Sequence, residues 1–136
     1  MSFLLDTNVL SEARKPAGDA NVKAWIQSVS GADLHLSVLV VGEIRQGIER
    51  LRRRDPLQAD VYERWLATLG RDYADRIIPI TAAIAEEWGR LNVPHPLPTI
   101  DGLLAATAIV MDLTLVTRNT ADVASTGVAL LNPFVR

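Results

Sequence analysis

The stretch Ser2-Phe3-Leu4-Leu5-Asp6-Thr7-Asn8 decides the architecture of this chain. Its apolar residues read as a short buried strand that ends at Asp6, and Asn8 or Thr7 is placed to cap a helix running through about Arg14. A strand that feeds directly into a helix is the unit of a parallel sheet, because parallel neighbours need a long crossover between them.

The same alternation recurs along the chain. Pro16 and Gly18 break the first helix, and Asp19 caps a second whose Val22, Trp25, Ile26 and Val29 follow helical spacing until Ser30-Gly31. A strand is expected over 34–36. Ser37 then caps a helix with Val38, Leu39, Val40, Val41, Ile44, Ile48 and Leu51 on one broad face, reaching about Arg54. Asp55-Pro56 starts the next, with Val61, Trp65, Leu66 and Leu69 as its core stripe. Residues 77–80 read as a short strand whose Pro79 suits a strand end. Thr81 caps a helix bearing Ile84, Trp88 and Leu91, and residues 94–98 form a rigid proline-rich loop. Thr99 opens a helix that is apolar nearly all round from 103 to 111, as expected for a helix buried in mid-domain. Strands over 115–117 and 128–131 complete the pattern. The expected fold is α/β, one domain over 1–136, with a central parallel sheet of about four or five strands and helices on both faces.

Composition narrows the function. At 136 residues, 49% hydrophobic and 22% charged, the chain is globular rather than disordered or fibrous. Its longest apolar-rich run, 103–111, is far short of the roughly 20 residues of a membrane-spanning helix. The apolar run before Asp6 is only Phe3, Leu4 and Leu5, too short for a signal peptide's apolar stretch of about 7–15 residues. The expected location is cytoplasmic, with no membrane partner. The absence of cysteine removes disulfides, zinc–thiolate sites, iron–sulfur clusters and cysteine nucleophiles. His35 and His95, far apart in sequence, offer little for a histidine metal site or a Ser-His-Asp triad. A formal charge of −2 does not advertise nucleic-acid binding at whole-chain level, so any chemistry must rest on oxygen donors and on how charge is distributed.

Asp6 falls at the carboxyl end of the first strand, where open α/β sheets build their sites; its plainer role is to cap the next helix. Asp101 opens the most apolar helix, where a carboxylate also complements the helix dipole. Glu43 sits beside the apolar stripe of its helix and taken alone is a solvated glutamate. Asn119 and Asp122 follow the strand end at Thr117 and taken alone are turn formers. Together, several carboxylates at one sheet edge would repel each other strongly if all were ionised, and a divalent cation resolves that. With oxygen ligands only, the cation would be Mg²⁺ or Mn²⁺, suited to activating water against a phosphodiester or phosphate ester.

Four segments in order, Leu4-Leu5-Asp6-Thr7-Asn8-Val9-Leu10, Ser37-Val38-Leu39-Val40-Val41-Gly42-Glu43-Ile44-Arg45-Gln46-Gly47, Asp101-Gly102-Leu103-Leu104-Ala105-Ala106-Thr107-Ala108 and Thr117-Arg118-Asn119-Thr120-Ala121-Asp122, resemble the PIN domain. With Asn132-Pro133-Phe134 near the end, the set is similar to the VapC toxins of VapBC toxin–antitoxin modules, including their FitB-like branch. The resemblance covers essentially the whole chain and implies a Mg²⁺-dependent endoribonuclease toxin, with Mn²⁺ able to substitute. It implies Asp6 and Asp101 as primary metal ligands and Glu43 as a third, direct or through water. Asn119 stands where some relatives carry aspartate, and Asp122 supplies the fourth carboxylate through water. Thr7, Asn8, Ser37, Thr117 and Asn119 match positions expected to support the carboxylates by hydrogen bonds. The implied reaction is in-line attack on RNA by water activated at the metal, leaving a 5′-phosphate and a 3′-hydroxyl. The implied partners are an RNA substrate, a VapB-type antitoxin and a second copy of the chain.

Arg45, Arg50, Arg52, Arg53 and Arg54 cluster on the back half of the Glu43 helix, either as cations complementing the helix dipole or as a phosphate-binding flank. Arg45 and Arg50, with Arg118, are the candidate RNA contacts. Trp25, Trp65 and Trp88 fall on apolar stripes and read as packing residues, and the helices around Trp25 and Trp65 are candidates for an antitoxin groove, the latter on the resemblance. His95 reads as an exposed loop residue and His35 as part of its strand's packing. Three alternatives are weighed against the nuclease. A haloacid-dehalogenase-type phosphatase needs Asp-x-Asp where this chain has Asp6-Thr7-Asn8, and a nucleotide-binding fold needs a G-x-G or Gly-Lys-Ser/Thr that is missing. The third is a catalytically inactive PIN-like interaction module.

Overall fold

The computed structural model describes residues 1–135. Five short strands form one parallel sheet in the order β3-β2-β1-β4-β5, with β1 Phe3–Leu5, β2 Leu34–Ser37, β3 Ile77–Ile78, β4 Thr114–Val116 and β5 Leu130–Leu131. The register places Leu4 opposite His35 on one side and Leu115 on the other. All three residues of β1 are buried, as a central strand covered on both faces must be.

Seven helices flank the sheet: α1 Thr7–Arg14, α2 Ala20–Ser28, α3 Val38–Arg52, α4 Pro56–Asp72, α5 Ala82–Leu91, α6 Thr99–Met111 and α7 Thr120–Val123. Strand order runs outward from β1 to β3 and then jumps back past β1 to β4. Right-handed crossovers therefore put α1–α4 on one face and α5–α7 on the other. The order reverses between β1 and β4, and crevices in open α/β sheets form at the carboxyl ends of such a pair. One apolar core joins Leu4, Leu5, Leu36, Val40, Ile48, Ile84, Leu104, Leu115 and Val116. Residues 102, 104–108 of α6 are buried, as its apolar sequence predicts, but Val110 and Met111 emerge at its end, where Asp112 adopts a left-handed cap with φ of 56°.

Several boundaries differ from those expected. Asp6, not Asn8 or Thr7, caps α1, its carboxylate accepting from the Thr7 amide. β3 stops at Ile78, because Pro79 has no N–H to extend the ladder. β5 spans two residues instead of four. The short α7 and the 3₁₀ turns Gly31–Asp33 and Ala124–Thr126 carry no periodic apolar pattern that would announce them. Among the described residues, no helix is long and apolar enough to cross a membrane.

Candidate active site

Asp6 leaves the end of β1 at the strand reversal and is only 5% exposed. Its Oδ1 accepts from the Thr7 amide at 2.7 Å and its Oδ2 from the Thr117 hydroxyl, just past β4, at 2.8 Å. The two strands that flank the crevice thus fix both oxygens. The Thr117 hydroxyl in turn accepts from the Asn119 amide at 3.0 Å, which leaves its single proton for Asp6. Thr7 also ties in the third element: its hydroxyl donates to Glu43 Oε1 on α3 at 2.7 Å.

Asp101 lies in the first turn of α6 and Asp122 in the first turn of α7. Burial, followed by the like charges of Asp6, Asp122 and Glu43, pushes the Asp101 carboxyl above its ordinary range. The structure thus brings Asp6, Glu43, Asp101 and Asp122 into one electrostatic neighbourhood although they lie on four separate elements. Gly102 contributes to this arrangement. A Cβ there would stand 3.2 Å from Leu97 Cβ and 3.3 Å from the Trp88 indole, so a side chain would press both back by a few tenths of an ångström where α5 closes over the first turn of α6 beside Asp101.

The supporting residues divide. Thr7 and Thr117 hold carboxylates directly. Asn119 acts through its backbone amide, and its side chain makes no hydrogen bond among the described residues. Asn8 is exposed and its side chain is likewise without a hydrogen bond there. Ser37 departs from the expectation of a carboxylate contact: it is fully buried, and its hydroxyl accepts from the Leu39 amide as the cap of α3.

The arginines divide as well. Arg45 is engaged within its own hairpin, its guanidinium forked onto Glu63 of α4 and also meeting Glu49. The pairing with Glu63, then Glu49, holds Arg45 firmly charged. Arg52 joins Asp60 and Glu63 in the same network. Arg50 is exposed and in no ion pair among the described residues. Arg118 is exposed at the carboxyl edge, its guanidinium 4.5 Å over the Phe134 ring.

A hard divalent cation takes oxygen donors, and this edge presents four carboxylates. As placed, no three His, Cys, Asp or Glu side chains among the described residues converge closely enough to hold one. The four groups are nonetheless all oxygen donors: Asp6 is fixed by its two hydrogen bonds, Glu43 and Asp101 are half-buried and Asp122 is exposed. The donor chemistry therefore fits Mg²⁺ or Mn²⁺.

A groove lies at the helix around Trp65, one of the two expected to border one: its volume is about 340 Å³, and Thr7, Glu43, Gly47, Arg54, Tyr62 and Trp65 are among the residues that line it. Tyr62 is a lining residue that the sequence reading did not single out. A second cavity of about 280 Å³ lies between Trp25 of α2 and residues 131–133. Trp25 itself packs edge-on against Phe3 with ring centres 5.1 Å apart, as a packing residue should.

This chain is similar to Toxin FitB of Neisseria gonorrhoeae, at 32% identity over 137 residues, 97% of this chain and 98% of the relative. It is similar to a VapC ribonuclease of Sinorhizobium fredii, at 30% identity over 140 residues and 97% of each chain. The crystal structure of FitAcB from Neisseria gonorrhoeae superposes with a TM-score of 0.90 at 31% identity, covering 98% of this chain and 99% of that one. The PIN-domain family model matches residues 3–125, a span that contains all four carboxylates, both threonines that hold them and every strand but β5. The chain belongs to the PIN-domain family, in the FitB-like branch of the VapC toxins.

Proposed function

We propose that this protein is a Mg²⁺-dependent endoribonuclease, the toxin of a toxin–antitoxin pair. The observation that carries the reading is the geometry of the β1–β4 edge, where Asp6 is held by the Thr7 amide and the Thr117 hydroxyl and tied through Thr7 to Glu43, with Asp101 and Asp122 in the first turns of α6 and α7. Asp6 and Asp101 would hold the cation, with Glu43 and Asp122 directly or through water. Bound there, the cation supplies charge neutralisation for the phosphodiester and eases deprotonation of the attacking water.

The chain's own residues prepare the site. Thr7 and Thr117 hold Asp6 in one orientation, so the primary ligand loses little freedom on binding. The Thr7 hydroxyl couples that orientation to Glu43. Burial and the neighbouring carboxylates raise the Asp101 carboxyl, and a bound cation would offset that like-charge burden. Water adds across the P–O3′ bond, giving a 5′-phosphate and a 3′-hydroxyl, and no 2′-hydroxyl nucleophile is required. Arg50 and Arg118 are the cations placed to meet RNA phosphates.

The toxin names of its relatives support a cognate VapB-type antitoxin, and homodimerisation is part of the same proposal. The groove lined by Gly47, Tyr62 and Trp65 suits an antitoxin segment with apolar anchors, which would cover Glu43 at its open end. The test is cleavage of total bacterial RNA by the purified, antitoxin-free chain. Discrete fragments should form with Mg²⁺ and vanish with EDTA or with Asp6→Asn. The same fragments from the Asp6→Asn chain would overturn the reading.

A further inference from the structure

We propose that Arg118 and Phe134 form a phosphate clamp at the rim of the acidic site, in which the Phe134 ring is the positioning residue that holds the Arg118 guanidinium beside the substrate strand. The inference rests on the ribonuclease reading and deepens it, because it says which cation takes the substrate and what holds that cation.

Topology brings the pair together. Arg118 follows Thr117, whose hydroxyl touches Asp6, so it leaves the backbone one residue from the buried carboxylate. Phe134 follows β5, and β5 pairs with β4 through Val116 and Leu131. Both residues therefore stand beyond the carboxyl ends of adjacent strands, on the site's side of the sheet. The ring is anchored independently of Arg118. The Phe134 amide donates to Asn132 Oδ1 at 2.9 Å, Asn21 Nδ2 of α2 donates to the Phe134 carbonyl at 3.0 Å, and Pro133 between them is buried. The ring also packs on the edge of the core.

Four of the other arginines, Arg45, Arg52, Arg76 and Arg90, are committed to carboxylates, and Arg14 is stacked on Tyr62 between α1 and α4. Arg118 is in no ion pair among the described residues and is held over an aromatic face at 4.5 Å. Stacking engages the flat face of a guanidinium and leaves its in-plane N–H groups directed outward, the edge that grips phosphate with two parallel hydrogen bonds. A polyanion approaching four carboxylates on a chain of net charge −2 needs such a fixed cation at the entrance.

The experiment uses the full chain and a single-stranded RNA oligomer carrying a cleavage site mapped in total RNA. Steady-state cleavage is measured alongside binding of the same oligomer to the Asp6→Asn chain across a salt series. Arg118→Ala should raise KM about fivefold or more while kcat changes less than about threefold, and should lower the slope of log Kd against log salt by about one. Phe134→Leu, which keeps apolar bulk on the core, should raise KM about two- to fivefold, with the thermal midpoint as a folding control. Phe134→Tyr should retain the wild-type KM. In the Arg118→Ala background, Phe134→Leu should do nothing further. A wild-type KM for Phe134→Leu, equal losses for the leucine and tyrosine variants, or an unchanged salt slope for Arg118→Ala would each overturn the clamp. Wild-type cleavage that persists in Asp6→Asn would sink the ribonuclease reading instead, while the binding series would still report on Arg118.

Discussion

At the β1–β4 edge four carboxylates share one neighbourhood and none of them is in an ion pair among the described residues, whereas on the α3–α4 hairpin Glu49, Asp60 and Glu63 interlock with Arg45 and Arg52. The two regions use the same residue types to opposite ends. On the hairpin these carboxylates meet their opposites in solvent, and such exposed pairs contribute little to stability while tying two helices together. At the edge, burial and like charge work against ionisation of Asp101, which costs stability unless a cation from outside the chain offsets it. Unbalanced charge in a crevice is thus the better guide to function than charge density.

Asp6→Asn tests that contrast most severely. Removing charge from the one carboxylate fixed by two strands should reduce RNA cleavage by more than about 100-fold, beyond the 10–100-fold typical of outer-shell losses, in single-turnover assays. Thr117→Val leaves the carboxylate but removes its buried donor. Cleavage should fall by about 10–100-fold, and urea unfolding should show a loss of about 1–3 kcal/mol, because Asp6 Oδ2 and the Asn119 amide both lose their partner. A Thr117→Val chain with normal activity would show that Asp6 does not need to be held.

Metal binding should reverse the sign of the edge's contribution. Mn²⁺ at about a hundredfold excess over its Kd should stabilise the chain by about 2–3 kcal/mol, read as a rise in the thermal midpoint, and Asp101→Asn should abolish the rise. With EDTA present the same variant should act the other way. Folding raises the Asp101 carboxyl, so the folded chain binds that proton more tightly than the unfolded chain. The stability this group contributes then falls as pH rises from the ordinary carboxyl range through the raised value. Asp101→Asn should therefore melt a few degrees higher than wild type at neutral pH, and the gap should close as pH falls through that window. A gap that widens on acidification would mean that Asp101 is stabilised by its charge.

Most of the edge is legible in sequence because strand ends and helix starts are local signals. Asp6 after Phe3-Leu4-Leu5 and Asp101 after Pro98-Thr99 are placed by patterns a few residues long. Which threonine meets which carboxylate is not local: Thr117 and Asp6 are joined by 111 residues of intervening separation, and only the β1–β4 pairing brings them together. The hairpin fails for the same reason. Arg45 looks like an outward cation on α3 until α4 folds back and presents Glu63. Phe134 and Arg118 share that fate, since the register of β4 on β5 decides their contact. Ser37 reads correctly as the cap of α3, its hydroxyl accepting from the Leu39 amide, and the carboxylate contact implied by the resemblance is not made.

The mildest change should come from Glu63→Gln. It removes the carboxylate shared by Arg45 and Arg52, whose two guanidinium groups still have Glu49 and Asp60 as partners. All of these groups lie largely in solvent, so the loss in urea unfolding should be small and should shrink as salt is raised. RNA cleavage should remain within about twofold of wild type, because Thr7, which couples Glu43 to Asp6, makes no contact with the network. A large loss of activity with intact stability would mean that α4 helps place Glu43 through α3, and the balanced region would then belong to the same functional unit as the unbalanced one.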